Sequence, residues 1–241
     1  MDEITMYPFK DLNLKGATII NGFPTAGLSS AITANYLIGA LKLDQIAALD
    51  SLDFPPVSMI YDGKPKFPAR IYGDEKSKIV IFLSEFTPLP SLVRPLANLM
   101  FDFIEKKKCL RIIAPEAMYI HEGNQEIYGV GSTDSARKTM DKLGIKPISH
   151  GIITGISGVL LNEGRRRDVE VITMLAPVKP EIPDARAAAK MIEAISRAVN
   201  AKIDVEPLNN EAERIENRIK SMREQSKTAT KQTTDYHNMY I

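Results

Sequence analysis

The chain reads as an α/β protein: a three-layer fold with a largely parallel sheet and helices on both faces, followed by a C-terminal helix and a flexible tail. Three observations carry this. Apolar runs of strand length alternate with amphipathic stretches of helix length, the pattern of strand–helix–strand units. The turns between them are short and marked by Gly, Pro, Asn and Asp. After Pro207 the pattern changes, first to a charged heptad-like helix and then to a polar stretch that lacks large aliphatic residues.

The elements follow in order. Residues 17–20 (ATII) form a short strand of the buried type; Gly22, Phe23 and Pro24 end it, and residues 26–41 read as a helix. Residues 46–49, 57–61 and 69–72 read as short strands with Pro and Gly between them. Residues 78–83 (KIVIFL) are the clearest strand. Residues 91–107 are a helix that places Leu92, Leu96, Leu99, Met100 and Phe103 on one face. A strand at 110–114 follows, then a helix at 132–143 with Ser132 as N-cap and Gly144 in the C-cap position. Residues 149–154 read as a strand, 158–163 begin a helix, 169–175 (VEVITML) are a late strand, and Pro183-Asp184 opens a helix over 184–199.

This divides the chain into a core domain at 1–207, a helix at 208–225 and a tail at 226–241. In the helix, Leu208, Ala212, Ile215, Ile219 and Met222 are spaced 4, 3, 4, 3, and Glu216 and Lys220 form an i,i+4 pair. The seam covers only about two heptads, too short for an isolated coiled coil. It packs either on its own domain or on a neighbouring subunit. The 13 residues 226–238 (SKTATKQTTDYHN) cannot bury enough surface to offset ordering. As a random coil they average about 20 Å end to end and reach about 45 Å when stretched. They end in Met239, Tyr240 and Ile241, apolar and aromatic side chains beside a free carboxylate. Such an end suits capture in a pocket of another protein; a tail folded back on its own domain is the alternative.

Composition narrows the function. With 44% hydrophobic and 25% charged residues and a net charge of +1, the chain has globular composition and no broad basic surface for nucleic acid. The single cysteine, Cys109, allows no internal disulfide and fits a reducing compartment. The N-terminus lacks a signal-peptide pattern, and no apolar run approaches the roughly 20 residues of a membrane span. These features describe a cytoplasmic protein without a membrane segment.

The candidate chemistry is sparse. Gly22-Phe23-Pro24-Thr25-Ala26-Gly27 joins a strand to a helix, an edge that can hold an anion. It lacks the Walker lysine and the G-x-G-x-x-G spacing, and Phe23 and Pro24 crowd a phosphate, so it reads better as a close-packing turn. Residues 154–158, with Gly155 and Gly158, repeat this logic, and the two loops are expected at the C-terminal edge of the sheet, where α/β folds place ligands. They form the candidate ligand loop. Ser157 departs from the G-x-S-x-G elbow because position 159 is Val. His121, His150 and His237 have no partner at metal-ligand spacing, so no metal and no cofactor are expected. Cys109 reads as a packing residue, Asp50 and Asp53 as a turn, and the Arg165, Arg166 and Arg167 cluster as a solvated helix end.

Three segments carry a family resemblance: GFPTAGLSSAITANYLI at 22–38, GISGVLLNEG at 155–164 and IPDARAAAKMIEAI at 182–195. In this order and spacing they resemble the proteasome assembly chaperone family over roughly residues 16–225. The terminal Met239, Tyr240 and Ile241 match the hydrophobic–tyrosine–any-residue tail of archaeal members and of proteasome activators. The resemblance implies a phosphorylase-like α/β fold without that active site and a role without catalysis. It also implies a homo-oligomer that binds 20S proteasome α-subunits or their assembly intermediates. The tail would enter pockets between adjacent α-subunits, with the Ile241 carboxylate meeting a lysine, Tyr240 packing and hydrogen-bonding at the rim, and Met239 as the apolar contact. The competing reading is a phosphorylase-like enzyme or small-molecule and nucleotide binder with its site at the two glycine loops. A purely structural homo-oligomer is a third reading.

Overall fold

The computed structural model describes residues 4–24, 29–119, 126–178 and 185–210. Its first half comprises β1 (Thr5–Pro8), β2 (Thr18–Gly22), α1 (Ser29–Ala40), β3 (Asp44–Asp50), β4 (Met59–Tyr61), β5 (Lys64–Lys66), β6 (Ala69–Asp74), β7 (Ile79–Ser84) and α2 (Pro90–Lys107). The second half comprises β8 (Arg111–Tyr119), β9 (Tyr128–Gly131), α3 (Asp134–Leu143), β10 (Lys146–Pro147), α4 (Gly155–Arg167), β11 (Val171–Val178) and α5 (Ala185–Val199). Nine strands form one sheet in the order β1-β3-β6-β7-β2-β8-β11-β9-β10, and β4 and β5 form a separate hairpin.

The centre of the sheet, β7-β2-β8-β11, is parallel, as α/β connections demand. Its strands are buried along most of their length, so they read as continuous apolar runs instead of alternating ones. Antiparallel ladders extend it through β6, β3 and β1 on one side and join β11 to β9 on the other. Two apolar layers cover the faces. Leu92, Leu96, Met100 and Phe101 of α2 and Ile156 and Leu160 of α4 pack with Ile19, Val80, Phe82, Ile112 and Val171. On the opposite face Leu37 of α1, Met140 of α3 and Met191, Ile192 and Ile195 of α5 pack with Ile20, Ile81, Ile113, Ile172 and Met174. The fold is therefore the expected three-layer α/β arrangement.

Several boundaries differ from the sequence reading. Residues 149–154 are not a strand: they form an open approach to α4, with Ile152 91% exposed. Helix α4 starts at Gly155, whose φ of 65° favours glycine, and not at 158. The N-cap of α3 is Thr133, whose hydroxyl accepts from the Ala136 N–H at 3.1 Å. Ser132 instead bridges to β11, donating to Val169 O at 2.8 Å and accepting from Val171 N–H at 2.9 Å. Gly144 closes α3 in the left-handed region, as its position implied. Residues 206–210 are helical and Leu208 is buried in the α1/α5 layer. The rest of the heptad seam lies outside the described residues. Among the described residues no helix is long and apolar enough to cross a membrane.

Candidate functional site

The two glycine loops converge at the C-terminal edge of the parallel strands. Strand register places Asn21 level with Ala114 of β8 and Thr173 of β11, on the face that α2 and α4 cover. Glu116 lies two residues further along β8. Helix α4 approaches from above and brings Ser157, at its first turn, into this row. The Asn21 amide donates to Ser157 Oγ at 3.3 Å, and the Ser157 hydroxyl donates to Glu116 Oε1. Asn21 and Ser157 are both fully buried. The arrangement is a polar latch that ties α4 to β2 and β8. It couples the turn after β2 to the turn before α4, although the residues are 136 positions apart.

The turn after β2 is filled by the protein itself. Gly22 is buried, and a Cβ there would sit 2.5 Å from Ala34 Cβ and 2.8 Å from Phe82 O. The glycine is needed for α1 to lie against β2 and β7. Phe23 is buried in the α2/α4 layer, its carbonyl accepts from Ser30 Oγ at 2.9 Å, and Pro24 is buried beside it. Gly158 has the same role in α4: a Cβ would meet Ile153 O at 2.4 Å. Gly155 has open space but a left-handed backbone. Gly27, Met239, Tyr240 and Ile241 lie outside the described residues. Asn21 and Glu116 escaped the sequence reading. Nothing local marks them, because an Asn ending one strand and a Glu ending another acquire meaning only when the sheet places them together.

Cys109 and the arginines at the end of α4 lie apart from this latch. Burial pushes the Cys109 thiol up to about 11, against the pull of Lys107 and Lys78. The thiol thus holds its proton longer in the folded chain than in the unfolded one. Its contribution to stability is whole below about pH 9 and is lost as pH rises toward 11. Labelling of native Cys109 by a disulfide reagent at pH 7.5 is expected to be roughly 100-fold slower than that of the guanidinium-unfolded chain, whose thiol has an ordinary thiolate fraction. Equal rates would show that the thiol is not shielded. Arg166 and Arg167 bind Glu163 at the end of α4, and Arg167 lies 4.8 Å over the Phe101 ring. Arg165 instead lines a cleft of about 320 Å³ with Ser132, Thr133, Asp134, Arg137 and Asp168, in which two arginines face two aspartates. Among the described residues no group of three or more His, Cys, Asp or Glu could hold a metal.

Removing the latch hydroxyl by Ser157→Ala leaves the buried Asn21 amide without its acceptor. The expected cost is about 1–3 kcal/mol of unfolding free energy. Urea titration checks this: an unchanged midpoint would show that the latch adds nothing.

The sequence model of the PAC2 family matches residues 19–223. The crystal structure of Pyrococcus furiosus PbaA, an archaeal homologue of proteasome-assembly chaperone, superposes with a TM-score of 0.86 at 32% identity, covering 99% of this chain and 100% of that one. Pyrococcus furiosus PbaB, an archaeal proteasome activator, has the same fold at a TM-score of 0.79 and 21% identity, over 92% of this chain and 100% of that one. An uncharacterized protein of Methanocaldococcus jannaschii is 23% identical over 230 residues, 95% of each chain.

Proposed function

The chain belongs to the PAC2 family, and from that premise we propose that it is a proteasome-binding factor of the assembly-chaperone type, acting in the cytoplasm without catalysis. The observation that supports this most is the end-to-end match to PbaA at 32% identity. The core then serves as a platform and the C-terminal segment as the reaching element.

In this reading Met239, Tyr240 and Ile241 enter pockets between adjacent 20S α-subunits. Ile241 contributes its carboxylate, Tyr240 a rigid aromatic anchor with a hydroxyl, and Met239 an adaptable apolar contact. Three residues bind weakly. A homo-oligomer that displays several tails makes later contacts intramolecular and raises avidity. The burial of Gly22, Phe23, Pro24 and Ser157 supports this reading over the phosphorylase-like one, since these groups face the protein's own core.

Whether the partner is a precursor or a finished particle is tested by size-exclusion chromatography of the full chain mixed with isolated α-subunits or with assembled 20S particles. Co-elution with α-subunits is expected of an assembly factor. Co-elution with 20S particles alone would make it an activator-type ligand, and co-elution with neither would defeat the proposal.

A further inference from the structure

The β4–β5 hairpin is built locally and fastened to the fold at few points. Its two-residue turn, Asp62-Gly63, has φ values of 50° and 71°, and the strands pair in the register Tyr61↔Lys64 and Met59↔Lys66. Positive φ at both turn positions is the type I′ pattern, whose twist suits a hairpin. The unit finds its shape without the sheet, yet two strands of three residues each are marginal alone. No residue of 57–67 belongs to either apolar layer. The segment lies between two fixed points. Phe54 is buried in the α2/α4 layer ahead of Pro55-Pro56. Ala69 is buried behind Pro68, whose carbonyl accepts from the Glu85 N–H at 2.9 Å.

Charge holds the hairpin down. Arg70 of β6 is only 1% exposed. A guanidinium cannot shed its proton, so its burial requires a paired carboxylate. Glu85 is that carboxylate, and it also accepts from the Tyr61 hydroxyl at 2.8 Å. Arg70 in turn donates to the Phe67 carbonyl at 2.8 Å and lies 5.3 Å from the centre of the Tyr61 ring. Among the described residues, these two hydrogen bonds are the ones that join 57–67 to the sheet. A stack of Phe67 on Tyr7, with ring centroids 5.9 Å apart, adds a ring contact. Arg70 Nε has no acceptor among the described residues, so the hairpin seals over a cation whose donors are satisfied only in part.

We infer that residues 57–67 are a strap that opens as a unit while the rest of the fold stays closed, with Arg70, Glu85 and Tyr61 as its lock. The strap buries no core side chain, so opening it costs far less than global unfolding, the mark of a low-stability cooperative unit. Phe54 and Ala69 stay packed, so the movement is confined between them. Opening has a chemical consequence. Arg70 lies opposite Leu83 of β7, and Leu83 pairs with Gly22 of β2. The arginine is therefore level with the turn after β2, at the C-terminal edge of the parallel strands, where α/β folds gather ligands. An open strap gives water and dissolved anions access to a guanidinium that is otherwise sealed. This device involves neither the C-terminal tail nor the α-subunits, so it stands apart from the proteasome reading.

The test is native-state hydrogen exchange of the full-length chain, wild type against Tyr61→Phe. In the wild type, amides of 59–66 are expected to exchange at least about 100-fold faster than those of β7, whose exchange requires global unfolding. Tyr61→Phe keeps the ring and removes one hydrogen bond to a carboxylate. It is expected to speed exchange at 59–66 by about 10-fold and to leave β7 unchanged. Equal protection of 59–66 and β7 would overturn the inference, as would a variant that speeds both alike or changes neither. Phenylglyoxal, which modifies accessible guanidinium groups, gives a second reading by peptide mapping. Arg70 is expected to react slowly in the wild type and about 10-fold faster in Tyr61→Phe, while the exposed Arg94 reacts alike in both. An Arg70 that stays unreactive in both proteins would show that the strap does not open.

Discussion

Deletion of residues 239–241, or Tyr240→Ala alone, is expected to weaken binding to 20S α-subunits by at least about 30-fold. That is the effect of losing one aromatic hot spot worth 2 kcal/mol or more. In an oligomer the loss is larger, because every tail is altered and each contact made after the first draws on the same pocket interaction. Appending a single glycine after Ile241 should act almost as strongly, since it moves the carboxylate while keeping every side chain. A tail that serves only to dock predicts an unchanged thermal midpoint in all three proteins. Surface plasmon resonance on immobilised α-subunits measures the effect. Wild-type affinity in the truncated protein would remove the tail from the mechanism and shift the contact to the core.

The second large effect concerns the turn after β2. Gly22→Val is expected to cost about 3 kcal/mol or more of unfolding free energy, because its Cβ would meet a neighbouring Cβ at 2.5 Å and a strand carbonyl at 2.8 Å. Neither neighbour can yield: Ala34 is held by α1, and Phe82 O belongs to the central ladder. Gly39→Ala is the matched control. That residue lies in α1 with nothing within 4 Å of the added Cβ, and its replacement should stabilise the helix by roughly 0.5–1 kcal/mol. Guanidinium unfolding of the two variants separates a packing glycine from a ligand-cradling one. A Gly22→Val protein of wild-type stability would mean that α1 does not approach the strand as described.

These expectations show which parts of the structure were legible in the chain itself. Strand β7 was plain because a strand buried on both faces is apolar throughout, and α2 because its apolar face repeats at helical spacing. Strand β1 left no such trace: it is four residues long, mostly exposed, and pairs on one side only. Strand β9 (YGVG) was hidden by its glycines, which strands seldom contain. In the fold they let α3 lie close, since a Cβ at Gly131 would meet Ala136 at 3.0 Å. Residues 149–154 misled in the opposite direction. Ile152 and Ile153 look like strand core, but the segment has no neighbouring strand to pair with, and Ile152 faces solvent. The two glycine turns were visible as turns. Their connection through Asn21, Ser157 and Glu116 was not, because a hydrogen bond spanning 136 residues is a property of strand order and not of local pattern.

The central claim is that the chain is a proteasome-binding factor, and its most direct test leaves the C-terminal carboxylate free. The full-length protein, tagged at its N-terminus and expressed in its own host, is purified without cross-linking and its partners are quantified by mass spectrometry. Strong enrichment of 20S α-subunits, lost when residues 239–241 are removed, is the predicted result. A folded, tail-intact protein that recovers no proteasome subunit would contradict the account.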